Sequence, residues 1–145
     1  MRDVAVVGAN MLKFGRYPDK DVVQLAAEAS IGALKDAGIS IKDVQLVSSG
    51  NLYQSNAMIG QRLMKEIGAT GVPVINVSNA CATGSTAFRE AYYAIASGAY
   101  DIVMAVGCEQ MGKMGLLGGG GGGDRAYSTE GVMGPGIMPG GFGQA

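Results

Sequence analysis

The chain has 145 residues, enough for one domain of ordinary size, and 48% of them are apolar, so a hydrophobic core can form. Eleven Lys and Arg against 12 Asp and Glu leave a net charge of -1, and without a basic cluster we expect no nucleic-acid partner. No apolar run approaches the roughly 18 residues of a membrane helix, so we expect no membrane span. Two cysteines, and an N-terminus without a signal peptide, indicate a cytoplasmic protein rather than a secreted disulfide scaffold.

Strand and helix patterns alternate along residues 1–117 and predict an α/β fold with a mainly parallel sheet covered by helices. Short apolar runs typical of buried strands occupy residues 4–8, 44–49, 72–78 and 101–107. Helical periodicity occupies residues 21–37, 59–67 and 84–97, and each segment is followed by a glycine suited to end a helix. In the third helix the pattern directs an apolar stripe inward: Ala87, Phe88, Ala91, Tyr92 and Ile95.

Glycine content changes abruptly near residue 117. Residues 1–117 hold 13 of the 25 glycines, and residues 118–145 hold the other 12, six of them in an unbroken run from Gly118 to Gly123. A segment of this composition forms no packed element of its own, so we expect residues 118–145 to be a loop segment.

Cys81 lies in a sequence context that favours a reactive thiol. Cys81 lies in a turn of small residues between the predicted strand 72–78 and the helix that follows. The free backbone N–H groups and the dipole of a helix N-terminus favour a thiolate there and offer donors to an oxyanion. Ala80, Ala82 and Gly84 leave the approach to the sulfur uncrowded. The pattern fits a nucleophile that a substrate carbonyl can reach, and it also fits a buried structural cysteine.

The chain contains no histidine. A Ser-His-Asp triad, a Cys-His dyad formed within this chain and any His-ligated metal site are therefore excluded. We expect no bound metal. A base that assists Cys81 must be another residue type or must come from another stretch of polypeptide.

The segment 76–87 around Cys81, the helix up to residue 99 and the segment 100–111 resemble the N-terminal half of a thiolase. The resemblance is closest to the sterol-carrier-protein-2 type and to the lipid-transfer-protein-like acetyl-CoA acetyltransferases, and it extends to residues 4–8 and 13–15. It implies a thiolase-like fold and a dimeric enzyme of lipid metabolism. It also implies Cys81 as the catalytic nucleophile, coenzyme A thioesters as substrates and no permanently bound cofactor.

The match to a thiolase is incomplete. A whole thiolase is more than twice this long, and its second half supplies a histidine base and a second catalytic cysteine, so this chain resembles the first third of a subunit. Residues 118–145 then begin a substrate-covering loop domain, and the isolated chain is expected to be inactive. The missing half comes from further chain or from a second polypeptide. The alternatives are a non-catalytic thiolase-like subunit of a heteromer, or an aldolase-type relative.

The remaining candidate residues have predicted structural roles. Cys108 ends a predicted strand, so we expect it to be packed in the core rather than catalytic or paired with Cys81 in a disulfide. For Glu109 we expect a hydrogen-bonded structural role rather than a catalytic one. Three polar residues near Cys81 are expected to form turn hydrogen bonds and interface contacts: Asn76, Ser78 and Asn79.

Overall fold

The computed structural model describes residues 2–110, and the predicted loop segment 118–145 lies outside them. Within the described residues, three helices alternate with three strands. In chain order these elements are α1 (Val22–Ala37), β1 (Leu46–Gly50), α2 (Ile59–Ile67), β2 (Val74–Val77), α3 (Thr83–Ala96) and β3 (Val103–Gly107). Short 3-10 turns occupy Ile41–Asp43, Ser55–Ala57 and Ala80–Ala82.

The three strands form one parallel sheet with β1 in the centre, in the order β2-β1-β3. In the middle of the sheet, Val47 lies beside Val74 on one side and Met104 on the other. The main core cluster joins these strands to buried residues of α1 and α2, and α3 packs against β1 and β3. The predicted α/β fold with a parallel sheet covered by helices is confirmed.

Helix α1 shows why its ends were predictable to within one residue. The Asp21 side chain accepts a hydrogen bond from the Gln24 backbone at 2.8 Å, and the Gln24 side chain accepts one from the Asp21 backbone at 2.9 Å. This reciprocal capping box satisfies donors that the first turn leaves unpaired. At the other end Gly38 adopts φ 70°, and its N–H bonds back to the last turn.

A Gly38→Ala substitution is expected to lower the free energy of unfolding by about 1 kcal/mol. An added Cβ would meet no neighbouring atom within 4 Å, so the loss comes from the left-handed backbone alone. The matched control is Gly84→Ala, which also places its methyl group in open space but lies inside α3. This control is expected to raise stability, because alanine favours the helix. Urea unfolding measures both, and equal effects of the two substitutions would contradict the explanation.

The prediction of a strand at residues 4–8 is wrong. The sheet of the described residues has three strands, and this segment pairs with none of them. Val6 and Val7 are 67% and 66% exposed. A cavity of about 300 Å³ lies between the segment and β3, and residues of α1 and α3 line it as well. An apolar run forms a strand only where the edge of a neighbouring strand lies within hydrogen-bonding distance. Here the cavity separates residues 4–8 from β3.

The predicted inward stripe of α3 is only partly buried. Ala87 and Ala91 are 0% and 7% exposed, as expected. Phe88 and Tyr92 are 53% and 40% exposed, so the prediction is wrong for these two aromatic residues. The spacing of apolar residues identifies which face of α3 turns away from water. The described residues, however, cover only the alanines of that face.

Candidate active site

The candidate site lies at the carboxyl edge of the parallel sheet. Cys81 follows β2, residues 51–54 follow β1, and Cys108 and Glu109 follow β3. Because parallel strands end at the same edge, the topology brings these three segments together. This edge is where open α/β sheets commonly bind their ligands.

Cys81 is exposed and lies in the turn Ala80–Ala82, directly before α3. Ala80 adopts φ 44°, an uncommon conformation for a residue with a side chain. Thr83 holds the turn, since its hydroxyl donates to the Ala80 carbonyl at 2.7 Å and accepts from the Asn79 N–H at 2.8 Å. The predicted placement of Cys81 between a strand and a helix N-terminus is confirmed, and its side chain is exposed in the described part of the chain. Its role as nucleophile stays a prediction.

Cys108 is packed against the core. Its side chain lies against both core clusters, and its N–H donates to the Gly50 carbonyl at 3.0 Å. Burial raises the pKa of the Cys108 thiol to about 12, and the Glu109 charge adds to the rise. Both cysteines are free thiols in the structure. The expectation that Cys108 packs against the core is confirmed.

Glu109 has the hydrogen-bonded role expected of it. Its Oε2 accepts from the backbone N–H groups of Leu52 and Tyr53 at 2.9 and 3.2 Å. Its Oε1 accepts from the Asn51 amide at 3.3 Å and from the Gln110 N–H at 3.3 Å. The carboxylate therefore ties the segment after β1 to the end of β3.

Sequence reasoning missed Asn51 and Tyr53. Asn51 is 4% exposed, and its amide donates to the Cys108 carbonyl at 2.8 Å while its N–H donates to the Val77 carbonyl at 3.2 Å. One side chain and its backbone thus connect the ends of all three strands. The sequence signal that could have identified Asn51 is its position. It is a polar residue directly after an apolar strand, at the edge of the sheet where ligands commonly bind.

Two of the three polar residues near Cys81, Asn76 and Asn79, form hydrogen bonds. Asn76 Oδ1 accepts from the Gly60 N–H at 2.8 Å, and its amide donates to Gln61 Oε1 at 2.6 Å, so it holds the start of α2. The Asn79 amide donates to Thr86 Oγ1 at 2.9 Å. Ser78 is exposed. The interface contacts predicted for these residues stay a prediction.

Within residues 2–110, no group of three or more His, Cys, Asp or Glu side chains is arranged to hold a metal ion. In the same range, no helix has the length and hydropathy needed to cross a bilayer.

Residues 4–118 match the thiolase N-terminal domain family. The chain belongs to the thiolase family. It is 38% identical over 115 residues to an acetyl-CoA acetyltransferase of Methanothermobacter thermautotrophicus, covering 77% of this chain and 30% of that protein. It is 41% identical over 121 residues to sterol carrier protein 2 of Gallus gallus, covering 81% of this chain and 22% of that protein. The predicted resemblance is therefore confirmed.

A solved structure shares the fold of this thiolase-family chain. It is 3-oxoacyl-(acyl-carrier-protein) synthase III from Aquifex aeolicus VF5, which matches with a TM-score of 0.61 at 21% identity, over 66% of this chain and 32% of that chain. At this identity the likeness concerns the fold alone. The thiolase-family chain spans about a fifth to a third of the length of the curated relatives described above.

Proposed function

We propose that this chain is the acyl-accepting part of a thiolase-type acyltransferase, with Cys81 as the nucleophile and a coenzyme A thioester as the substrate. The observation that carries the proposal is the position of Cys81. Its thiol is exposed, follows the strained residue Ala80 and precedes α3, at the carboxyl edge of a parallel sheet. Strain next to a reactive group is typical of functional sites. The name of the acetyl-CoA acetyltransferase relative supports the choice of substrate.

The proposed step is a thioester exchange. The Cys81 sulfur attacks the acyl carbonyl carbon, the bond from that carbon to the coenzyme A sulfur breaks, and an acyl thioester forms on Cys81. The proton of the Cys81 thiol ends on the released coenzyme A. The N-terminus of α3 favours the negative charge that develops on the sulfur and on the carbonyl oxygen. A covalent intermediate divides one difficult transfer into two easier ones.

We infer that complete turnover requires polypeptide beyond this chain. The chain contains no histidine, and its relatives are three to five times longer than the matched part. Phe88 and Tyr92 leave α3 with an exposed aromatic face, which supports further polypeptide covering it. A second thiolase half, on a longer chain or on a partner, provides both the cover and a base.

The test is acylation of the full chain with acetyl-CoA, followed by mass spectrometry and by measurement of the released coenzyme A. We expect one acetyl group on Cys81 and a release of coenzyme A that stops at about one equivalent per chain, because no base completes the cycle. Cys81→Ala is expected to remove the label, and the matched variant Cys108→Ala is expected to keep it. Absence of label from the wild-type chain would overturn the proposal and favour the non-catalytic subunit.

A further inference from the structure

A single carboxylate organises the backbone next to the proposed nucleophile. Glu109 Oε2 accepts hydrogen bonds from two successive backbone amides, those of Leu52 and Tyr53. The turn closes on itself as well, since the Gln54 N–H donates to Asn51 Oδ1 at 2.7 Å. Glu109 lies more than 50 residues away from this turn in sequence. The hydrogen bonds therefore join two segments that are distant along the chain.

The same turn places Tyr53 at the sheet edge that carries Cys81. Gly50, the last residue of β1, lies beside Val77, the last residue of β2. Tyr53 follows the first of these strand ends by three residues and Cys81 follows the second by four, so both lie at the same edge of the sheet. Burial raises the pKa of the Tyr53 phenol above its ordinary value, and electrostatic interactions with Glu109 and with Cys81 add to the rise. The shared sheet edge and this electrostatic interaction both favour a position of the phenol near Cys81.

We propose that Glu109 is a positioning residue, whose carboxylate fixes the turn 51–54 and thereby holds the Tyr53 ring beside the Cys81 sulfur. Glu109 itself touches no substrate in this proposal. The ring forms one wall of the space that an acyl group on Cys81 occupies. The role of this wall in acyl transfer rests on the proposed function, whereas the placement of the ring by Glu109 does not.

The placement is tested by nuclear magnetic resonance on the full chain. The Tyr53 ring signals, assigned with Tyr53→Phe, are recorded before and after Cys81 is alkylated with iodoacetamide. Alkylation is expected to shift these signals in the wild-type chain and in the control Glu66→Gln, whose substituted side chain is exposed on α2. In Glu109→Gln the shift is expected to fall at least about twofold, and the Leu52 and Tyr53 amides are expected to exchange hydrogen at least about tenfold faster.

Wild-type exchange rates in β1 and β3 identify variants that have folded. If Glu109→Gln fails this criterion, Glu109→Asp replaces it, because the shorter carboxylate keeps the charge but reaches the turn less well. The placement is overturned if alkylation leaves the Tyr53 signals of the wild-type chain unmoved. It is equally overturned if a folded Glu109 variant keeps the full shift.

A double-mutant cycle on acetylation tests the role in acyl transfer. Glu109→Gln and Tyr53→Ala are each expected to slow acetylation of Cys81 by about tenfold, and the double variant is expected to be no slower than the slower single one. Effects that multiply to about a hundredfold would show that Glu109 acts independently of Tyr53 and would overturn this role. If the wild-type chain is never acetylated, the proposed function fails, and the resonance experiment still decides the placement.

Discussion

At pH 8, iodoacetamide is expected to modify Cys81 at least about a hundredfold faster than Cys108 in the folded chain. The thiolate is the reactive form, and the pKa of Cys108, raised to about 12, leaves only about one Cys108 thiol in 10,000 ionised at this pH. Cys81 is exposed, so the reagent reaches its sulfur directly. Peptide mass spectrometry over time gives the two rate constants separately.

Alkylation of Cys108 is expected to become faster as the pH rises. Because its pKa lies far above neutrality, its alkylation rate is expected to rise about tenfold for each unit of pH from pH 8 towards pH 12. The control is Cys81→Ser, which is expected to be almost unlabelled at pH 8 until urea unfolds it and exposes Cys108. Comparable alkylation of both cysteines in the folded wild-type chain would contradict the packed state of Cys108.

Leu63→Ala is expected to lower the free energy of unfolding by about 2–5 kcal/mol. Leu63 is 0% exposed and belongs to the core cluster in which α2 meets α1 and the sheet. Its truncation removes apolar contacts from both neighbours and leaves a cavity that the close-packed surroundings fill only in part. Urea unfolding of the full chain, followed by circular dichroism, measures the change.

The matched control for Leu63→Ala is Ile31→Ala, which removes an aliphatic side chain that is 53% exposed on α1. This control is expected to change stability by less than about 1 kcal/mol, because much of that side chain is already in water. Similar losses in the two variants would contradict the position of the core between α1, α2 and the sheet.

Local sequence was sufficient to predict the helices and the location of Cys81. Asp21 and Gly38 mark the ends of α1 because a cap and a left-handed residue are needed at those positions. The helix predicted over residues 59–67 coincides with α2, and the turn of small residues at Cys81 separates β2 from α3 as expected. These features depend on interactions between residues that are close together in sequence. Residue types and their spacing along the chain therefore predict them directly.

The surroundings of Cys81 depended on tertiary structure. The Glu109 carboxylate meets the amides of Leu52 and Tyr53 only because β1 and β3 are adjacent in the sheet. No periodicity along the chain identifies such a partner, since Tyr53 and Glu109 are 56 residues apart in sequence and the fold determines the path between them. The expectation of a hydrogen-bonded Glu109 was correct, but its partners were not predictable.

Local sequence patterns were enough to predict the α/β class, the helix ends and a cysteine in the turn between a strand and a helix. The tertiary structure alone decided that Val4–Gly8 is unpaired, that Phe88 and Tyr92 remain exposed, and that Asn51 connects the ends of three strands. The physical reason is the range of the interactions. Caps and turns are satisfied within a few residues, whereas strand pairing and burial require a partner surface, whose position only the folded chain defines.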